Sequence, residues 1–349
     1  MKRIRFIVFS LLILLLMTGA GLWYTAYTFL HTVPETEGRT LSFDVLPGAT
    51  FRQVSARLAD AGLVTNARYF FWLARLTHHG QTLKAGRFAL STGWEPEKIL
   101  HELLFGKPVL YRITIPEGLT YWQTAELLAE KGFVERDVFE KVVQDPNFLK
   151  NYGIPFSTAE GFLMPDTYLL KKEELQDPEK KQKQAWKIAA RLVETFFVKA
   201  EPFWPKKTRP SKEDLQRYVI LASIVEKETA IPQERARVAG VYSNRLQRKM
   251  LLQADPTVIY GLGKTFTGRL LYRHLNDVNN PYNTYQKPGL PPGPICSFGI
   301  EALRAAIVPE QHDFIYFVAK TDGGAHTFST TLANHNRAVE EYRKQKRQP

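Results

Sequence analysis

The sequence predicts an α+β protein with a single N-terminal transmembrane helix, a small βα module and a larger α+β domain. Three observations support this prediction: an uncharged N-terminal segment, a strand-and-helix pattern that occurs twice about 70 residues apart, and mixed helical and strand patterns after the second copy. With 349 residues, of which 44% are hydrophobic and 12% aromatic, the chain can form more than one folded unit.

The N-terminal segment, residues 6–30, carries no charged side chain. As a helix rising about 1.5 Å per residue, it is long enough to cross a hydrocarbon core of ~30 Å. Lys2, Arg3 and Arg5 precede it, so we expect its N-terminus in the cytoplasm and the rest of the chain outside. A cleaved signal peptide is the alternative. It would have a shorter apolar region and a small-residue cleavage site, whereas Trp23 and further aromatic residues follow here.

The composition limits the kinds of partner and cofactor. The chain has 47 Lys and Arg against 35 Asp and Glu, a net charge of +12, which favours a polyanion such as nucleic acid, anionic lipid or the cell wall. Because most of the chain is expected outside the cytoplasm, we predict no nucleic-acid partner. The single cysteine, Cys296, lies in an apolar stretch and is expected to be buried. No metal motif, phosphate-binding loop or nucleophile elbow occurs, so we expect neither a metal nor a cofactor.

Two βα units share one sequence pattern. In the first, a strand and a Pro-Gly turn lead to a helix that begins near Thr50, and in the second a strand and a Gly turn lead to Thr120. Gly62 and Gly132 suit a left-handed helix end in each unit. The first unit, within residues 41–106, resembles the LysM-like wall-binding subdomain of a bacterial envelope family. A purely structural module without affinity for sugar is the alternative.

One helix in the second half carries the candidate chemistry. Residues 218–225 are uncharged and apolar nearly all round, which predicts a buried helix. Glu226 extends an apolar stripe of this helix, whereas Glu228, about 200° away around the axis, is expected to face solvent. A carboxyl group held against apolar side chains resists ionisation and can act as a general acid. A Glu that only caps the helix or forms a salt bridge is the alternative.

Three segments with loop-like sequences combine polar and aromatic residues. They are residues 160–168, 252–260 and 280–285, and the last leads into a Pro-Gly-rich stretch at 289–295. Aromatic rings beside hydrogen-bonding side chains suit pyranose sugars, which have apolar faces and hydroxyl rims. The sequence therefore favours a carbohydrate-binding groove.

Taken together, these segments closely resemble the YceG-like (MltG) family of endolytic murein transglycosylases over nearly the whole chain. The resemblance rests on the N-terminal anchor, the Pro-Gly-x-Thr module and an ordered set of motifs. The motifs are EGFLMPDTY at 160–168, ASIVEKET at 222–229, NRL at 244–246, LQADPTVIYG at 252–261, YNTY at 282–285 and GLPPGP at 289–294.

The resemblance implies a function and a set of site residues. Glu226, the first Glu of the SIVEKET motif, would be the catalytic acid and base. The substrate would be nascent peptidoglycan glycan strands, cut internally to leave a 1,6-anhydro-muramic acid end, at the cell (inner) membrane and near the peptidoglycan synthases. Motif membership and polarity add candidate substrate-binding residues: Glu160, Asp166, Tyr168, Gln253, Asp255, Thr257, Tyr260, Asn283 and Tyr285.

The resemblance also suggests a domain organisation. We expect a cytoplasmic tail at 1–5, the transmembrane helix at 6–30, a linker at 31–40, the LysM-like subdomain at 41–106 and the catalytic domain at 107–349.

Two alternative functions stay open at this point, and a third is set aside. The protein could be a muramidase-type hydrolase with Asp255 or Asp166 as its second carboxylate. It could also be a non-catalytic wall-binding scaffold of the growth machinery. An aminodeoxychorismate lyase would need pyridoxal phosphate, which an extracytoplasmic location makes implausible.

Overall fold

The computed structural model describes residues 2–46, 48–77, 83–84, 86–107, 109–172, 176–321 and 324–347. It has the mixed α+β architecture that the sequence predicts. The chain divides into two compact units. The first comprises Met1–Tyr111 and Leu169–Glu174, and the second comprises Arg112–Tyr168 and Leu175–Pro349.

The N-terminal helix α1 runs from Lys2 to His31. Within the described chain, its segment Leu11–His31 is the one helix that is long and apolar enough to cross a membrane. Its large side chains between Phe9 and Tyr27 are mostly exposed, whereas Phe29 belongs to the core of the first unit. The prediction of a long apolar helix is therefore confirmed, and its exposed surface is consistent with a membrane anchor.

The first unit has two strands and three further helices besides α1. They are β1 (Thr40–Val45), α2 (Phe51–Asp60), α3 (Ala67–Thr77), β2 (Gly86–Ser91) and α4 (Pro96–Phe105). β1 and β2 are antiparallel, with Phe43 opposite Phe88, and both rings lie in one apolar core with residues of the helices. Pro47 of the expected Pro-Gly turn lies outside the described residues.

After the first unit the chain continues with four strands and ten helices in the described residues. These are β3 (Tyr111–Ile115), α5 (Tyr121–Glu130), α6 (Arg136–Val142), α7 (Pro146–Tyr152), β4 (Asp166–Leu170), α8 (Pro178–Ala200), α9 (Lys212–Glu228), α10 (Arg235–Gln247), α11 (Asp255–Gly261), α12 (Tyr272–Leu275), α13 (Ile300–Ile307), β5 (Tyr316–Ala319), β6 (His326–Ser329) and α14 (Leu332–Arg347). Short 3-10 turns occur at Glu201–Phe203, Pro205–Lys207 and Pro232–Glu234. β3 pairs with β4, and β5 with β6.

The two βα units have matching local structure. Thr50 and Thr120 each cap the helix that follows, and each forms a reciprocal capping box with the glutamine three residues on. The glycines just beyond the two helices, Gly62 and Gly132, have φ angles of 69° and 72°. The sequence repeat is therefore confirmed as a repeat of local structure, with one copy in each compact unit.

Helix α9 lies in the core of the second unit. Every residue from Tyr218 to Val225 is buried, as the absence of charge in that stretch predicts. The segment after the Pro-Gly-rich stretch lies along this helix, because the Ile295 amide donates to Ser223 Oγ at 3.0 Å. The buried Cys296 thiol donates to the Ser223 carbonyl at 3.4 Å, so the expectation of a buried thiol is also confirmed.

Candidate active site

Glu226 lies in the last turn of α9, and its side chain is only 7% exposed. The Gly299 amide donates to Glu226 Oε2 at 3.1 Å, and Arg235 Nη2 lies 3.4 Å from Glu226 Oε1. Gly299 is the residue that precedes α13, and Arg235 is the first residue of α10. Three helices of the second unit therefore meet at this carboxyl group.

A second carboxyl group, that of Glu117, lies at the same place. Arg235 Nη2 lies 3.2 Å from Glu117 Oε2, so one guanidinium nitrogen is shared by two carboxyl groups. The Glu117 side chain also packs against the Gly299 backbone so closely that a Cβ at residue 299 would overlap Glu117 Oε1. Gly299 thus both binds Glu226 and leaves room for Glu117.

Backbone pairing brings Glu117 to this position. The turn that follows β3 runs beside the segment before α13, where the Gly118 amide donates to the Ser297 carbonyl and the Ser297 amide donates to the Leu119 carbonyl, both at 2.7 Å. Lys227 of α9 adds a third link, with Nζ 3.3 Å from the Gly118 carbonyl. These bonds hold the turn carrying Glu117 against the end of α9.

The surroundings of Glu226 raise its pKa. Burial is the main cause, and the neighbouring Glu117 carboxyl acts in the same direction. The Arg235 guanidinium and the Gly299 amide act in the opposite direction because they stabilise the ionised form. Glu226 therefore keeps its proton to higher pH than an ordinary glutamate. The Arg235 guanidinium lies close enough to stabilise the carboxylate once the proton is lost.

The structure corrects the expectation for Glu228. This side chain is partly buried, and it does not face open solvent. Burial raises the pKa of Glu228 to about 7, the Tyr242 hydroxyl favours its ionised form, and the nearby Asp255 disfavours it. Glu228 does point to a different side of α9 from Glu226, as the helical spacing predicts. That side is also covered, because Tyr242 of α10 and Asp255 of α11 lie near Glu228. In the same region, the Tyr285 hydroxyl donates to Asp255 Oδ1 at 2.6 Å.

Glu160 is buried, with 1% of its surface exposed. The Tyr121 amide donates to Glu160 Oε2 at 3.0 Å. Burial raises the pKa of Glu160 to about 8, although the Tyr121 amide and the Tyr260 hydroxyl favour its ionised form. The Tyr260 ring packs on Trp122 and Tyr282, with ring centroids 5.0 Å and 4.8 Å away. Glu160 therefore lies behind a partly exposed aromatic cluster.

Several other predicted substrate-binding residues hold the loops together. The Tyr168 hydroxyl donates to the Met164 carbonyl at 2.6 Å, and Thr257 Oγ1 donates to the Ala254 carbonyl at 2.7 Å. Asn283 is fully buried, and its amide nitrogen donates to three backbone carbonyls around α12. Direct contact of these three side chains with substrate stays a prediction, but their polar atoms already have partners within the protein.

The remaining predicted residues are more accessible. Gln253 and Asp255 are exposed, and Gln253 has a left-handed backbone with φ of 51°. Asp166 pairs with Lys199 Nζ at 2.8 Å, and this partner, together with the Thr167 amide, lowers the pKa of Asp166 against the opposing effect of burial. The carboxyl group that shares a cation with Glu226 is thus Glu117, while Asp166 and Asp255 have other partners.

Sequence reasoning missed Glu117, Arg235 and Gly299 as site residues. The sequence repeat could have pointed to Glu117. The equivalent position in the first unit is Pro47, so the turn does not need a carboxylate for its own structure. Nothing local marks Arg235 or Gly299. Among the described residues, no group of three or more His, Cys, Asp or Glu side chains could hold a metal ion.

Comparisons with known proteins agree with the resemblance seen in the sequence. The model of the YceG-like family matches residues 43–341. The endolytic murein transglycosylase of Bacillus subtilis (strain 168) is 28% identical over 347 residues, which cover 94% of this chain and 91% of that protein. The endolytic murein transglycosylase of Streptococcus pneumoniae serotype 2 (strain D39 / NCTC 7466) is 27% identical, with 98% of this chain and 66% of that protein covered.

A solved structure is similar as well. The crystal structure of a YceG-like protein from Listeria monocytogenes superposes with a TM-score of 0.55 at 31% sequence identity. The match covers 86% of this chain and 99% of that one.

Proposed function

This chain belongs to the YceG-like family, and from that premise we propose that it is a membrane-anchored endolytic lytic transglycosylase of peptidoglycan with Glu226 as its catalytic acid and base. The names of the Bacillus and Streptococcus relatives support the reaction and the substrate. The observation that carries the residue assignment is the buried Glu226 carboxyl group, whose pKa is raised and which faces both Arg235 and the Gly299 amide.

The first step needs a proton on Glu226. The carboxyl group donates this proton to the glycosidic oxygen between N-acetylmuramic acid and N-acetylglucosamine, and the bond from C1 of the muramoyl residue to that oxygen breaks. Positive charge develops at C1 in an oxocarbenium-like transition state. Burial of Glu226 favours the protonated form that this step uses.

The second step uses the carboxylate that the first step leaves. It accepts the proton of the muramoyl C6 hydroxyl, whose oxygen attacks C1 and closes a 1,6-anhydro ring. Glu226 is then protonated again. Water is not a reactant, so one acid and base suffices, whereas a hydrolase usually needs a second carboxyl group as base or nucleophile.

Arg235 and Glu117 are positioning residues in this proposal. While Glu226 is protonated, Arg235 keeps Glu117 as an anionic partner at 3.2 Å. When Glu226 loses its proton, the same guanidinium nitrogen is 3.4 Å from the new carboxylate. The site can therefore pass between the two protonation states without leaving a buried charge unpaired.

Four of the accessible predicted residues are the ones we assign to direct sugar binding. Gln253 and Asp255 are exposed, and Tyr260 and Tyr285 are partly exposed. The ring cluster of Trp122, Tyr260 and Tyr282 offers apolar surface of the kind that packs against the face of a pyranose. We assign the buried Glu160, Thr257 and Asn283 to supporting these loops.

The first unit and α1 complete the proposal. The exposed apolar surface of α1 supports membrane anchoring. Lys2, Arg3 and Arg5 at its start support an N-terminus in the cytoplasm. The order of β1, α2, α3 and β2 around a two-stranded antiparallel sheet supports a LysM-like, wall-binding role for the first unit. We further propose that cleavage takes place near peptidoglycan synthases and ends the elongation of glycan strands.

The experiment that tests this function is digestion of purified glycan strands by the full-length protein. We expect internal cleavage, and products lighter by one water than hydrolytic products when measured by mass spectrometry. Glu226→Gln should abolish cleavage, whereas Glu213→Gln, an exposed glutamate at the other end of the same helix, should retain it. Ordinary reducing muramic ends would instead identify a muramidase-type hydrolase, and intact strands would favour a non-catalytic scaffold.

A further inference from the structure

One face of α3 carries apolar and basic side chains without cover from the first unit. Four side chains lie on one side of this helix because of their spacing along the sequence. They are Arg68, Trp72, Arg75 and Leu76. Leu76 is 77% exposed and Trp72 is 53% exposed, whereas Phe70 on another side of the helix is fully buried. We call these four side chains the α3 face.

Tyr69, which adjoins this face in α3, contacts the membrane-spanning helix α1. The Tyr69 hydroxyl donates to Thr25 Oγ1 at 3.1 Å, and the Tyr69 and Phe29 rings lie 5.6 Å apart. Thr25 and Phe29 lie in the C-terminal part of the candidate span Leu11–His31. On the α3 helical wheel, Leu76 is about 20° and Trp72 about 60° from Tyr69. The apolar part of the α3 face is therefore directed towards the side on which α1 runs.

The charge of this region suits a surface of phospholipid headgroups. The sequence has no Asp or Glu between Asp60 and Glu95. Arg75 lies over the Trp72 ring at 5.9 Å, and Arg52 of α2 lies over the Phe71 ring at 5.6 Å. Tryptophan and arginine side chains each combine an apolar part with a polar end, so both are common at membrane interfaces. Arginines at such an interface also attract anionic headgroups.

We propose that the α3 face is a second membrane contact, in which Trp72 and Leu76 enter the interfacial layer of the bilayer and Arg68 and Arg75 bind the phosphates of anionic phospholipids. The inference rests on the proposed anchoring of the chain by α1. Two contacts, one through the span and one through α3, would limit the rotation and tilt of the first unit on the membrane.

The test uses the full chain in vesicles of phosphatidylcholine and phosphatidylglycerol. Because Cys296 is buried, an introduced cysteine can carry an environment-sensitive fluorophore, with the unchanged chain as the labelling blank. The label is placed in turn at Leu76→Cys in the α3 face, at Leu22→Cys within α1, and at Asp60→Cys at the exposed end of α2. For each position, quenching by lipids with brominated acyl chains is compared with quenching by aqueous iodide.

We expect the labels at residues 22 and 76 to be quenched by brominated lipid and protected from iodide, and the label at residue 60 to show the reverse. If the label at residue 22 is lipid-exposed but that at residue 76 is open to iodide, this inference fails and the anchoring stands. If the label at residue 76 is protected from both quenchers, protein covers the face and the inference also fails. If the label at residue 22 is open to iodide, both the anchoring and this inference fail.

The role of the arginines has its own measurement. In the Leu76→Cys chain, Arg68→Ser with Arg75→Ser should reduce quenching by brominated lipid, and so should replacing phosphatidylglycerol by phosphatidylcholine. Arg68→Lys with Arg75→Lys keeps the charge and should restore most of the quenching. Equal quenching in all of these samples would overturn the assignment of anionic headgroups.

Discussion

Gly299→Ala is the substitution that best separates the parts of the proposed active site. The backbone of Gly299 has φ of −70° and ψ of 158°, which any residue adopts, so alanine adds no backbone strain. The amide that donates to Glu226 is also retained. The new Cβ would overlap Glu117 Oε1, however, and the Glu117 side chain must move away from Arg235.

The structure indicates the size of the effect. The Glu117 side chain is 48% exposed and that of Arg235 10% exposed, so their ion pair is closer to a surface pair than to a buried one and contributes about 0.2–1 kcal/mol. If about 1 kcal/mol is lost from transition-state stabilisation, kcat/KM falls about fivefold. Alanine is also a poorer N-cap than glycine for α13, which lowers stability by a few tenths of a kcal/mol to about 1 kcal/mol.

The assay is the initial rate of release of anhydro products from purified glycan strands, together with thermal unfolding. Gly299→Ser is the matched control, because serine is a good N-cap but has the same Cβ. We expect both variants to lose the same activity, with Gly299→Ser the more stable of the two. In a Glu117→Ala background, where the obstructed side chain is absent, Gly299→Ala should cause no further loss. Full activity of Gly299→Ala, or an undiminished loss in the Glu117→Ala background, would refute the reasoning.

Three further predictions concern protonation and backbone conformation. Because the Glu117 carboxyl helps to raise the pKa of Glu226, Glu117→Gln should shift the alkaline limb of the profile of kcat/KM against pH to lower pH; an unmoved limb would contradict this. Burial raises the pKa of Glu160 to about 8. Between about pH 4.5 and pH 8 the folded state therefore keeps a proton that the unfolded chain releases. The free energy of unfolding falls as pH rises through this window. Glu160→Gln should therefore flatten the dependence of Tm on pH over that window, and an unchanged slope would count against a buried neutral carboxyl. At Gly62 and Gly132 an added Cβ would touch no other atom, but both residues have positive φ angles. Alanine at either position should therefore lower the free energy of unfolding by about 1–2 kcal/mol, measured by urea denaturation. Unchanged stability would argue against the left-handed helix ends.

Features with local causes could be predicted from the sequence. The Thr caps and left-handed glycines of the βα repeat depend on residues a few positions apart, so the pattern predicted both helix starts and both helix ends. The uncharged stretch in α9 predicted a buried helix because charged residues are rarely buried. Near the C-terminus, the apolar residues 314–319, the Asp-Gly-Gly sequence at 322–324 and the segment with His326 and Phe328 together favour two strands joined by a turn. The structure has β5 and β6 there in antiparallel register, while Asp322 and Gly323 lie outside the described residues.

Helical spacing was a weaker guide to exposure. It separated Glu226 from Glu228 correctly around the axis of α9, but an angle does not state what packs on that side. Tyr242 from α10 and Asp255 from α11 approach Glu228, and burial there raises the pKa of Glu228 to about 7. The prediction of a solvent-facing side chain was wrong because α9 is surrounded at its C-terminal end.

The sequence by itself determined the α+β class, the long apolar N-terminal helix, the βα repeat and the membership of the YceG-like family, with Glu226 at the end of a buried helix as the candidate acid. The tertiary structure decided which groups surround that acid. Glu117, Arg235 and Gly299 come from three separate segments of the chain. Glu117 and Gly299 meet because the backbone hydrogen bonds of Ser297 with Gly118 and Leu119 join the turn after β3 to the segment before α13. Arg235, at the start of α10, then lies within reach of both carboxyl groups. Local periodicity in the sequence identifies the neighbours of a residue along its own helix or strand. The contact of Arg235 with both Glu117 and Glu226 depends on distances between separate segments, and those distances are determined only by tertiary packing.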